Sequence, residues 1–255
     1  MGIISSKLLW LEASFEMHGE VFYLERLHKP FVFNSLPLWQ QILIEGSHEQ
    51  IKQLLMQLQL LEKENRLEAF HLLSPRYATL ADHIAAYANA ECLTILFSML
   101  KDFSDEEQHE FLLYEHSSCE TSFLECLSKN KAGSLALEPF FNYIQTMSLV
   151  NRVNLFKKTS PSGCSFPSLL AYHQTSFLDN GFVAFIKSWE ILQADFNADN
   201  PMLTNKQLCI EVFGNKKKIK AFCNDVCRYQ SKPVLFELLD NNLIPVVYLH
   251  YFRAC

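Results

Sequence analysis

Glycine and proline are scarce, at 7 and 9 in a chain of 255 residues. Both punctuate β-rich folds and long loops, so their rarity argues for helices joined by short connections. Clustered cysteines are missing too. The 8 cysteines are scattered at Cys92, Cys119, Cys126, Cys164, Cys209, Cys223, Cys227 and Cys255, with no C-x-x-C pair. A chain of this length does not need disulfide staples. The thiols therefore read as small buried hydrophobes, reduced in a cytosol. Cys223 and Cys227 stand one helical turn apart, but the nearest histidine is His250. Structural metal sites use closely spaced Cys and His pairs, so no metal is expected.

Long apolar runs are also absent. The longest in the tail, residues 243–252, is about half of what a spanning helix needs. Near the start, Lys7 precedes a short apolar stretch that Glu12 interrupts, with no small-residue cleavage site. That is not a secretory signal. A soluble, cytosolic protein is expected. Basic charge is in deficit, with 22 Lys and Arg against 28 Asp and Glu and a formal charge of −6. This argues against nucleic acid as the main partner. No Gly-rich phosphate loop, H-E-x-x-H or recognisable carboxylate pair occurs, so neither a cofactor nor a catalytic residue is assigned.

What is present is apolar material in a repeating order. The hydrophobic fraction is 49%, with 21 Phe. One apolar column falls at Leu38, Leu80, Phe123 and Phe166, followed a turn later by Ile42, Ile84, Leu127 and Leu170. A second falls at Leu54, Leu96, Pro139 and Phe182, flanked by Leu55, Phe97, Phe140 and Val183. A third is Phe70, Leu113 and Phe156. All step by about 42–43 residues, the period of a helical solenoid whose units bury their apolar faces against one another. The fold class is all-α, a solenoid of roughly four to six units.

The spacing predicts helices over 38–45, about 51–58 and within 60–73 in the first unit. The second repeats them over 80–88, 91–100 and up to 113; the third over 123–128, 137–144 and 149–156; the fourth over 166–172 and 182–189. Residues 1–34 read as an amphipathic cap, 35–194 as four repeats, and 195–255 as degenerate repeats with a cap. The polar stretch 195–201 reads as a loop. Gly46 and Gly214 lie four times 42 apart, and the same offset carries Ile42, Ile51 and Leu54 onto Ile210, Ile219 and Phe222. That mapping makes residues around 210 the first helix of a fifth unit.

Pro37-Leu38, Ile42, Gly46-Ser47-His48-Glu49 and Leu54-Leu55 resemble the ankyrin pattern of Pro-Leu, Gly-His-x-Glu and Leu-Leu. Thr79-Leu80, Ala85-Ala86, Asn89-Ala90-Glu91 and Leu96-Phe97 resemble it again. No unit contains Thr-Pro-Leu-His, and an ankyrin unit is about 33 residues, so each unit here carries roughly ten extra. Armadillo and HEAT arrays are the alternative. The resemblance implies a non-catalytic adaptor for an unknown protein partner. It also implies similarity to ankyrin-like effectors that intracellular bacteria place in a host cytosol. The sequence does not set the oligomeric state.

Four further features are candidates for function. Gln40, Asp82, Glu125 and Ser168 share one repeat position and are all polar; they read as the solvent face of the first helices and a partner-binding column. Lys216, Lys217, Lys218 and Lys220 form the one dense basic run, suited to anionic lipid or an acidic partner but more simply a solvated helix start. Met1-Gly2 through Ser6-Lys7 fits N-myristoylation of Gly2, which would give weak membrane association. Cys164 and His173, with Asp179 beyond, are the materials of a Cys–His hydrolase or transferase, the alternative to an adaptor.

Overall fold

The computed structural model describes residues 38–45, 47–73, 78–115, 121–130, 132, 134–160, 163–174, 181–200, 202, 205–230 and 234. Among them are thirteen α-helices and one short 3-10 turn, with no strand beyond two isolated antiparallel bridges. The first unit holds α1 (Leu38–Glu45), α2 (His48–Gln59) and α3 (Lys63–Phe70). The second holds α4 (Leu80–Tyr87), α5 (Ala90–Leu100) and α6 (Asp105–Leu113). The third holds α7 (Phe123–Ser128), the 3-10 turn Ser134–Ala136, α8 (Glu138–Ile144) and α9 (Leu149–Lys157). Then come α10 (Phe166–His173), α11 (Gly181–Asp199), α12 (Asn205–Phe213) and α13 (Lys216–Tyr229).

The helix starts are written into the sequence. Thr79, Ser122 and Ser165 are N-caps 43 residues apart, each accepting from the backbone N–H three residues on. That bond satisfies one of the donors a helix start leaves open. Ser47 and Ser104 add reciprocal capping boxes with Gln50 and Glu107, as Thr79 does with Asp82. The chain enters α4 and α10 through matching pinches. Leu73 bridges Thr79, and Thr159 bridges Ser165.

The helices stack in three columns. In the first, α1, α4, α7, α10 and α13 pack in succession; in the second, α2, α5, α8 and α11; in the third, α6, α9 and α12. The third column begins with α3, tied to α6 by Lys63–Glu107 at 2.8 Å. Ile42, Leu54, Leu55, Leu80, Ile84, Leu96, Phe97, Phe123, Leu127, Phe140, Phe166, Leu170 and Phe182 are all buried, as are Phe70 and Phe156. Pro139, Leu113 and Val183 are only half-buried, so the periodic columns loosen in later units. The Leu38 side chain lies outside the described residues. A continuous chain of aromatic contacts crosses the units, from Phe70 through Phe111, Phe123, Phe97, Phe140, Phe166, Phe156, Phe185 and Phe222 to Phe213.

Two expectations are corrected at the C-terminal side. Residues 195–199 are not loop: α11 runs on to Asp199, because Phe185, Trp189, Leu192 and Phe196 continue its buried stripe. The expected boundary at 194–195 therefore falls inside a helix. The long α11 also shifts the register of the two helices after it. α12 packs on α9 and α13 on α10, so α12 is a third-column helix and α13 the first helix of the next unit. Gly214 closes α12 with φ +81°, the left-handed ending that glycine adopts without strain.

Gly181 marks a tight approach. A Cβ built there would overlap Leu137 Cδ1 and press on Gln174 Oε1. Both neighbours are buried, so neither can swing into solvent. Gly181→Ala is expected to lower stability by about 1–3 kcal/mol. A shift in the urea midpoint at unchanged slope measures it.

Candidate functional site

The polar column is where sequence and structure part most clearly. Gln40, Asp82, Glu125 and Ser168 are all buried, at 0%, 4%, 7% and 8% exposure, not solvent-facing. The helices α4, α7 and α10 are covered nearly all round: the described residues Leu80–Ala85, Phe123–Ser128 and Phe166–Ala171 are buried without exception. Asp82, Glu125 and Ser168 are the third residues of their helices, where a polar group serves the cap. Asp82 accepts the Thr79 N–H at 2.9 Å. Burial pushes the Asp82 carboxyl up, and the Thr79 hydrogen bonds hold it back. Each polar residue also meets a neighbour. Gln40 Nε2 lies 3.4 Å from His83 Nε2 in the next unit, and Ser168 hydrogen-bonds Asp225. Glu125 accepts from Lys129 Nζ at 2.6 Å, while its Oε2 is buried without a hydrogen-bond partner. A partner cannot reach these atoms in the folded stack, and charge reversal at Asp82 is a change in stability, not only in affinity.

Sequence reasoning missed a second set of polar residues. Asn130 Nδ2 donates to Ala85 O and Ala88 O at 2.6 and 2.9 Å. Gln174 Nε2 donates to Ser128 O at 2.7 Å. Gln230 Nε2 donates to Ala171 O and Gln174 O at 2.6 and 3.0 Å. Each amide comes just after one first-column helix and caps the carbonyl end of the preceding one. Arg66 and Arg152, twice 43 residues apart, are likewise buried and reach Asp102 and Asp195 in the next unit, both at 2.7 Å. The recurring spacing of the two arginines was the one signal that could have found them.

The thiols are poorly placed for chemistry. Burial pushes Cys92 up to about 11, and Cys126, Cys209 and Cys223 up to about 12. A thiol held there supplies almost no thiolate at neutral pH. Cys164 is an exposed free thiol, but it precedes α10 and His173 ends it. At 1.5 Å per residue the helix alone holds their backbones about 12 Å apart. Asp179 lies outside the described residues. Cys227 is disulfide-bonded, a departure from the fully reduced set expected, and Cys223 is fully buried. The two therefore do not form an available pair of metal ligands.

Lys216, Lys217, Lys218 and Lys220 are exposed on the first turns of α13, with Ile219 buried between them. Gly2 lies outside the described residues. On the third column, a cavity of about 330 Å³ opens between α3 and α6. Lys63, Glu64, Leu67 and Glu68 form one wall and Glu107 the other, with Phe103 on the floor and His71 at an end. Lys63 Nζ sits 5.1 Å from the Phe103 ring centroid. The His71 ring stacks on Tyr114 at 3.9 Å. Among the described residues, no helix is long and apolar enough to cross a membrane.

Burial lowers the pKa of His71, His109 and His173. The unfolded chain then binds more protons than the folded one once pH falls below the free imidazole value of about 6.5. Stability is full above that value and declines as pH drops through it towards the depressed folded values. The melting temperature is expected to fall between about pH 7.5 and 5.5. The slope should flatten when His71 and His109 are both replaced by Gln; an unchanged slope would remove these residues from the account.

No family model matches this chain, and neither a curated protein nor a solved structure matches it.

Proposed function

We propose that this chain is a non-catalytic protein-binding scaffold, built as a solenoid of ankyrin-like units with an added third helix. The observation that carries the reading is the stack itself. Units tied mainly to their neighbours leave the outer sides of the second- and third-column helices exposed along an extended surface, and repeat arrays use such surfaces to bind. The ankyrin-like character is supported by the Thr79, Ser122 and Ser165 caps and by the bridged entries to α4 and α10. The third helix is the feature it shares with armadillo-type units. The separation of Cys164 and His173 by the length of α10 weighs against the rival reading as a thiol-dependent enzyme. A host cytosol, as the effector resemblance implies, is the setting in which to seek the partner.

The test separates the two classes. Cross-linked partner recovery from host cytosol is compared for wild type and for Cys164→Ser with His173→Gln. The scaffold reading expects a specific partner at equal yield from both. Recovery lost in the double variant, or rapid labelling of Cys164 by iodoacetamide that requires His173, would favour the enzyme. Acylation at Gly2 is a separate part of the proposal. Expression in a eukaryotic cytosol should add a myristoyl mass and give weak, reversible membrane partition, since one chain binds with only about 10⁴ M⁻¹. Gly2→Ala should abolish both; an unacylated N-terminus by intact mass ends the idea.

A further inference from the structure

Much of the chain's negative charge is concentrated on one side of its first two units. Residues 62–68 and 101–110 hold eight carboxylates and three basic groups, a formal −5 in a chain whose total is −6. Two of those bases are already engaged, Lys63 with Glu107 and Arg66 with Asp102. The surplus is arranged as like-charge pairs one turn apart, Glu64 with Glu68 on α3 and Glu106 with Glu110 on α6. Like charges at that spacing oppose the helix that carries them. The two pairs occupy the same repeat position, 42 residues apart, and all four side chains are exposed. None of the four forms a hydrogen bond or ion pair with another described residue.

Beside these carboxylates lies the α3–α6 cavity, whose wall includes Glu64 and Glu68 and whose apolar part is Leu67 and Phe103. Phe103 is buried. At its end, His71 Nε2 is buried with no hydrogen-bond partner. The cavity is at the small end of ligand sites and open to solvent, so it suits side chains of a segment lying across it. Apolar floor, acidic wall and engaged local cations together define the charge and shape of an occupant.

We propose that the α3–α6 groove docks an arginine-rich segment of a protein partner. One large apolar side chain of that segment sits over Leu67 and Phe103, and its cations engage Glu64 and Glu68. This rests on the protein-binding reading above and names the chemistry of the partner. Arginine fits best, because its planar guanidinium takes a carboxylate through two parallel hydrogen bonds. Complementary charge also speeds encounter and makes the contact sensitive to salt.

The probe is a short fluorescein-labelled peptide of Arg-Arg-Leu triplets, titrated with the full chain and followed by anisotropy. Saturable one-to-one binding is expected, weakening about tenfold between low and moderate salt. Replacing Leu by Ser in the peptide should weaken binding severalfold, and replacing Arg by Glu should abolish it. Glu64→Lys with Glu68→Lys should reduce affinity at least about tenfold, while Glu138→Lys with Asp199→Lys, the same charge change elsewhere, should leave it within about twofold. These positions are all exposed, so the melting temperature should barely move. Equal loss in both double variants would show diffuse attraction and overturn the proposal. Light scattering that shows self-association abolished by Glu64→Lys with Glu68→Lys would overturn it too, by making the occupant a second copy. A cellular partner that binds wild type and the groove variant equally would sink the groove and leave the scaffold standing; no partner for either would sink the scaffold.

Discussion

Leu96→Ala is expected to lower the unfolding free energy by about 2–5 kcal/mol. Leu96 is fully buried on α5, the second-column helix that packs on α2 before it and α8 after it. Truncation removes the transfer free energy of the lost methyl groups and leaves a cavity that two neighbouring units line. Collapse is resisted from both sides, because Leu54 and Leu55 on α2 and Phe140 on α8 are themselves close-packed and buried. Urea titration followed by circular dichroism gives the number. The midpoint should fall with little change in slope if the stack unfolds as one unit. A loss below about 0.5 kcal/mol, the scale of a surface change, would mean that Leu96 does not lie between units.

Asn130→Ala is expected to cost about 2–4 kcal/mol although it removes no apolar surface. The side chain is buried, at 5% exposure, and it bonds both Ala85 O and Ala88 O at the end of α4. Deletion leaves two acceptors facing a space without a donor, and each buried unsatisfied group costs about 1–3 kcal/mol. A water entering the gap would recover part of this. Asn130→Asp should be worse than its small volume change suggests, since an ionised carboxylate cannot donate to either carbonyl. Chemical denaturation of both variants checks the order. Asn130→Ala within error of wild type would show that the amide ladder is decorative.

The apolar half of this architecture is legible in the sequence. Leu38–Glu45 and Phe123–Ser128 are helices to the residue, because their apolar spacing is helical, and Ser122 caps the second. The polar half is not. A polar residue at the third helical position and one on a solvent face have the same composition, so Asp82 and Glu125 read as exposed although both are buried, Asp82 bonding its cap and Glu125 bonding Lys129. Asn130, Gln174 and Gln230 recur at unequal intervals, so no periodic column reveals them. The C-terminal register fails for a related reason. A multiple of the period aligns Gly46 with Gly214, but the extra turns of α11 move α12 and α13 each into a different column. The acidic groove needs the structure, since Glu64 and Glu106 become neighbours of one surface only once α3 and α6 are stacked.

The most direct test of the stack uses the ion pairs already present. A zero-length carbodiimide joins an amine to a carboxylate only where the two touch. Lys52–Glu91 at 2.6 Å, Lys63–Glu107 at 2.8 Å and Lys157–Glu211 at 3.4 Å each tie one unit to the next. Mass spectrometry of the monomeric product should find these three links and none that skips a unit. A link joining the first unit to the fourth, such as Lys52 to Glu190, with Lys52–Glu91 and Lys63–Glu107 absent, would contradict the three-column stack.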